Sequence, residues 1–167
     1  MMARLEKVLR EPLSALTHLL AFWLAFAGTA ILVVLTRHEP GKMVSLLVYG
    51  ATLVALFAAS TLLHGLKVSD RVQNWLNRID HMAIFLLIAG TYTPIVYNLT
   101  AQPQRWVILL SVWTIALLGM LFKLLSTRID GFFSVVIYVL LGWGGAVPLL
   151  LTSVSYTHLR AHETKAN

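Results

Sequence analysis

The sequence predicts an all-α membrane protein: a polytopic transmembrane helix bundle with its N-terminus in the cytoplasm. Three observations carry this prediction. Of 167 residues, 58% are hydrophobic and only 12% charged, which is too apolar for a soluble domain of this size. The charges are clustered, so that Pro12 to Thr36, Met43 to Leu66, Met82 to Gln104, Trp106 to Phe122 and Gly131 to Leu159 contain no Asp, Glu, Lys or Arg. A spanning helix needs about 20 predominantly apolar residues. Finally, these runs are Leu-rich and lack period-two alternation, so helices and not barrel strands satisfy the backbone in lipid.

The elements follow in order. Residues 1–12, with Arg4, Lys7 and Arg10, form a cytoplasmic N-terminal segment. The first span covers about 13–35. Its "AFA" at Ala25 to Ala27 imitates a signal cleavage site, but no exported soluble domain follows, so the run reads as a span. "RHEPGK", Arg37 to Lys42, is a tight turn with Pro40-Gly41 as its breaker. The second span covers about 43–66. The connection "KVSDRVQNWLNRID", Lys67 to Asp80, is longer, and Ser69 or Asp70 is placed to cap a short interfacial helix within it. The third span, about 80–99, is closed by the turn "TAQPQR". The fourth, about 106–125, is closed by "STRIDG", and the fifth covers about 131–152. The tail, 153–167, turns abruptly polar. There is no internal repeat and no soluble domain.

Charge placement sets the orientation. The N-terminal segment and the second and fourth connections hold Arg4, Lys7, Arg10, Lys67, Arg71, Arg78, Lys123 and Arg128, while the opposite side holds Arg37, Lys42 and Arg105. The positive-inside rule then puts the N-terminus in the cytoplasm. The net charge of +6 is therefore a topology signal and not a nucleic-acid footprint. The expected partners are membrane lipids, with no nucleic acid, and the expected location is the plasma (inner) membrane. Trp75, Trp106, Tyr97 and Tyr49 lie near span ends, as interface aromatics do. The absence of cysteine excludes disulfides and thiolate metal sites.

Several polar residues fall at one membrane depth. The second span descends toward the cytoplasm and carries Ser60 and His64, four apart and so on one helical face. The third span starts on that side at Asp80-His81, and the first has Thr17 and His18 about one turn inside. Each has an ordinary alternative: His18 and His81 as interface hydrogen-bonding groups, Asp80 as an N-cap and Ser60 as a packing residue. Together they are functional candidates, because ionisable groups inside a membrane face the bundle interior. Imidazoles are common zinc ligands, and a carboxylate can orient a ligand or a water beside them. His64 and Asp80 alone do not complete a site, which normally has three protein ligands. Asp80 and His81 point about 100° apart, so both cannot easily aim at one ion.

At these residues the chain resembles the hemolysin III family, the bacterial branch of the progestin and adipoQ receptor superfamily. The resemblance covers roughly residues 10–152. It rests on "EPLSALTH" (Glu11 to His18), "ASTLLHG" (Ala59 to Gly65) and "LNRIDHMAIFLLIAGTYTP" (Leu76 to Pro94), with a weaker echo in "YVLLGW" (Tyr138 to Trp143). It implies seven transmembrane helices and a zinc ion near the cytoplasmic face. His64 would be a zinc ligand, Ser60 a supporting polar group and Asp80 the holder of the attacking water. Two further ligands would come from a His-x-x-x-His on the seventh span. The superfamily is similar to alkaline ceramidases, which implies metal-dependent hydrolysis of a lipid amide.

The chain departs from that pattern at its end. "HLRAH", His158 to His162, has the His-x-x-x-His spacing but follows the fifth span directly, among Arg160, Glu163 and Lys165. "VSYTHLRAHET" resembles the translated read-through of a sequencing-library adapter. Residues 153–167 are therefore expected to be non-native and without function, and the chain to be a fragment, truncated after five spans of seven and inactive by itself. The leading expectation is a zinc-dependent hydrolase of a membrane lipid amide or ester. The alternatives are a receptor-like or membrane-homeostasis protein with structural zinc, and a pore-forming cytolysin. Continuous apolar spans argue against the soluble form that a cytolysin needs.

Overall fold

A computed structural model describes residues 8–125, 135–140 and 142–143. Four long helices follow one another: α1 (Pro12–Leu35), α2 (Pro40–Gly65), α3 (Asp70–Leu99) and α4 (Gln104–Leu125). Each is long and apolar enough to cross a membrane, and the described residues contain no strand. The chain is thus an all-helical, multi-pass membrane protein. Of the expected fifth span, residues 135–140 and 142–143 are helical. The rest of that span and the tail 153–167, with His158 and His162, lie outside the described residues.

Helix ends follow local chemistry. Pro12 and Pro40 both open their helices, at a position where the missing N–H has no intrahelical partner to lose. Pro40 therefore starts α2 within the expected turn, and only Thr36 to Glu39 reverse the chain. Thr36 closes α1 by bonding back to the Leu32 carbonyl through both its N–H (3.1 Å) and its Oγ1 (2.7 Å).

The third helix differs from the expectation. It is one 30-residue helix from Asp70, with Ser69 as N-cap, and not a short interfacial helix followed by a span from 80. Asp80 therefore lies ten residues inside α3, and neither an N-cap role nor the helix dipole at an N-terminus accounts for it. The physical reason is that loss of charge marks where a helix enters hydrocarbon, while the helix itself continues through polar turns. Gln73, Asn74, Asn77 and Arg78 occupy those turns.

Helices adjacent in sequence pack against one another, and among α1–α4 no others touch. The contacts run antiparallel. Along α1 and α2, Glu11 meets His64 and the Thr29 side chain fills the notch left by Gly50. Along α2 and α3, Ser60 meets Asp80 and Thr52 fills the notch at Gly90. Along α3 and α4, Arg78 Nη1 donates to the Leu124 carbonyl (3.2 Å), Phe85 packs over Gly119, and Trp113 Nε1 donates to Thr93 Oγ1 (3.1 Å). Small residues at crossings let backbones approach, which is how helices associate where lipid removes the hydrophobic drive.

The core joins Phe85, Ala89, Tyr92 and Val96 of α3 to Leu109, Val112 and Ala116 of α4. Their three- and four-residue spacing makes one stripe on each helix. Tyr138 packs edge-on against Phe85 (4.7 Å between centroids), and Tyr92 Oη donates to the Gly142 carbonyl. The helical residues after α4 thus run parallel to α3, which has neighbours on three sides. Of its most apolar stretch 39% is buried, against 6% in α1, whose Leu20, Leu24 and Val34 face outward. Two of the expected interface aromatics meet a cation: the Arg105 guanidinium lies 4.5 Å from the Tyr97 ring centre and that of Arg78 5.4 Å from Trp75.

Candidate functional site

The antiparallel pairing brings the start of α1 against the end of α2. The Glu11 N–H donates to the His64 carbonyl (2.9 Å), and the Arg10 N–H reaches the Gly65 carbonyl (3.4 Å). A Cβ at Gly65 would make only an ordinary contact with Ala15, at 3.8 Å, so the approach does not depend on glycine there. At the same junction His64 Nδ1 lies 2.8 Å from Glu11 Oε2. A carboxylate oxygen accepts, so Nδ1 donates. The His18 ring stacks on that of His64, with centroids 5.2 Å apart and planes 22° apart. His18 also donates from Nδ1 to the Ser14 carbonyl (2.6 Å). Both histidines thus commit Nδ1 and keep Nε2. The expected alternative for His18, a hydrogen bond to a neighbouring helix, is replaced by a ring stack and a bond within its own helix.

One turn before His64 on the same face, Ser60 donates its hydroxyl to Asp80 Oδ1 across the α2–α3 interface. Ser60 is buried and Asp80 half-buried. The hydroxyl's one proton is therefore committed to the carboxylate. His81 takes a separate course: its Nδ1 donates to the Asn77 carbonyl (2.7 Å), and its own carbonyl accepts from Tyr138 Oη (3.2 Å). Asp80 thus meets α2, while His81 is bonded within its helix and to the segment after α4.

A polar cleft of about 270 Å³ opens beside this junction, lined by Arg10, Glu11, Leu63, His64, Gln73, Asn74 and Asn77. Arg10 lies 3.7 Å from Glu11, and Gln73 Nε2 donates to the Leu63 carbonyl (3.1 Å). The polar turns of α3 before Asp80 form one wall, which is the structural use of the helix's extra length.

The donor chemistry suits one position of a zinc site. A ligating histidine normally donates its other ring N–H to a carboxylate or carbonyl, as His64 does to Glu11. Among the described residues, however, no three His, Asp or Glu side chains converge as a metal cradle. Glu11 opens one of the motifs in the sequence, yet its spacing assigns it no role. The available signal was an acid beside Pro12 at the depth of His64, but its partner is 53 residues away in the chain.

Three comparisons bear on this arrangement. The family model for haemolysin-III related proteins matches residues 6–166, a range that takes in the 153–166 segment. A hemolysin-3 of Bacillus cereus is 31% identical over 166 residues, covering 96% of this chain and 73% of the relative. A hemolysin-3 homolog of Bacillus subtilis (strain 168) is 30% identical over 135 residues, covering 80% of this chain and 63% of the relative. No solved structure matches.

Proposed function

The chain belongs to the haemolysin III family, and on that premise we propose that it is part of a zinc-dependent hydrolase of the plasma membrane, acting on a lipid amide or ester. The observation that carries this reading is the polar junction of α1, α2 and α3, where His64 keeps Nε2 and Asp80 stands across from Ser60. His64 would hold the metal, with the remaining donors supplied from outside the described residues. Zinc, when bound, contributes Lewis acidity toward a carbonyl oxygen and toward water.

The chain's own residues do the rest. Asp80 accepts a proton from the attacking water, and Ser60 holds the carboxylate in place before that transfer. Once Asp80 is neutral, its hold on the Ser60 hydroxyl weakens, and Ser60 is free to donate to the oxyanion that develops on the substrate. The cleft beside His64 accepts the polar head of the lipid, with Gln73, Asn74 and Asn77 as neutral hydrogen-bonding groups. The apolar helix faces leave its tails in the bilayer.

Metal analysis of variants purified as a protein carrying all seven spans tests this. His64→Ala is expected to lose zinc, because a ligand is gone. Asp80→Asn is expected to keep it while losing turnover of a ceramide-like substrate. Full zinc retention in His64→Ala would remove the proposed site, and equal loss in both would make Asp80 a ligand. A zinc-bound protein with no turnover of lipid amides or esters would favour a structural zinc in a receptor-like protein.

A further inference from the structure

We infer that Glu11 is a positioning residue that dictates the tautomer of His64, and so decides which ring nitrogen is available for chemistry. Glu11 occupies the N-cap of α1, yet its side chain makes no bond to the N–H groups of its own helix. Its carboxylate instead accepts from His64 Nδ1 at 2.8 Å. The same two residues are joined a second time through the main chain, Glu11 N–H to His64 carbonyl at 2.9 Å. The main-chain bond keeps the base of the Glu11 side chain beside the ring, so the carboxylate has only its own χ rotations by which to leave it. His18 lies flat against the ring and resists its rotation out of this plane.

The consequence is chemical. A carboxylate has no proton to give at neutral pH, so its ring partner must carry the hydrogen on Nδ1. A neutral His64 then has its lone pair on Nε2. Metal ligation and proton abstraction both need that lone pair at a defined place. Gln at position 11 would keep the size of the side chain and the main-chain bond. Its amide both donates and accepts, so it would no longer force one tautomer. The tautomer itself does not depend on zinc. Only the use of the freed nitrogen rests on the hydrolase reading.

The test is ring-nitrogen NMR on the full chain, labelled with ¹⁵N-histidine and zinc-free in micelles at about pH 8, where an ordinary imidazole is neutral. His64→Asn identifies the His64 signals. The wild type is expected to show a protonated Nδ1 and a bare Nε2, and Glu11→Gln a mixed population with unchanged helix content. In a protein carrying all seven spans, zinc affinity of Glu11→Gln should fall about 10- to 100-fold. A wild-type His64 protonated on Nε2 would overturn the inference, as would an unchanged tautomer ratio in Glu11→Gln. Loss of helix content in that variant would make Glu11 a structural clamp and overturn its positioning role. If the tautomers differ as expected but a protein carrying all seven spans binds no zinc, the hydrolase reading fails and this inference stands.

Discussion

At the scale of single residues, the Ser60–Asp80 contact makes a measurable claim. Ser60→Ala removes the hydroxyl donor from a carboxylate between two helices and is expected to destabilise the protein by about 1–3 kcal/mol, toward the lower end because Asp80 is only half-buried. Combined with Asp80→Asn, the two losses should fall short of additivity by at least about 0.5 kcal/mol, read as a double-mutant cycle from reversible unfolding in micelles. Strict additivity would mean that the two side chains do not act on each other. The residues themselves are legible in the sequence, since Ser60, His64 and Asp80 are polar groups at the ends of charge-free runs. Their grouping is not. Spacing along one helix places Ser60 and His64 on a shared face, but only packing between helices divides the set into His18–His64–Glu11 and Ser60–Asp80 and leaves His81 to its own helix.

At the scale of elements, the spans are legible because hydrocarbon tolerates so little charge. The reach of α3 is not, because six of its first ten residues are polar and a hydropathy reading ends where the membrane does. Its pairing with α2 depends on Gly90, where any side chain would collide with the Thr52 hydroxyl. Thr52 is buried and donates to the Tyr49 carbonyl (2.8 Å), so it has little room to move aside. Gly90→Ala is expected to cost about 1–3 kcal/mol through overpacking. Thr52→Ala in the same chain should recover part of that loss. A Gly90→Ala protein as stable as wild type would show that the two helices do not meet there.

At the scale of the whole molecule, Arg10, Lys67, Arg71, Arg78 and Lys123 lie toward one end of the helix row, as the antiparallel contacts require. The chain has no cysteine, so single substitutions report topology without background. A cysteine at Ser69 should resist an impermeant thiol reagent applied outside intact cells, while one at Gln102 should react. The reverse pattern would put the N-terminus outside and the His64 junction on the other face of the membrane.

The two ties between α2 and α3 also constrain how such chains vary in length. Ser60–Asp80 and Thr52–Gly90 are eight residues apart on α2 and ten on α3. Deleting one residue between them on either helix turns one tie about 100° away from its mate, so a chain keeps the carboxylate contact or the glycine notch but not both. Insertions and deletions should therefore gather in the short reversals at 36–39, 66–69 and 100–103. The stretches between the ties should be counted out without a gap in every protein that uses this site, however far their sequences have diverged.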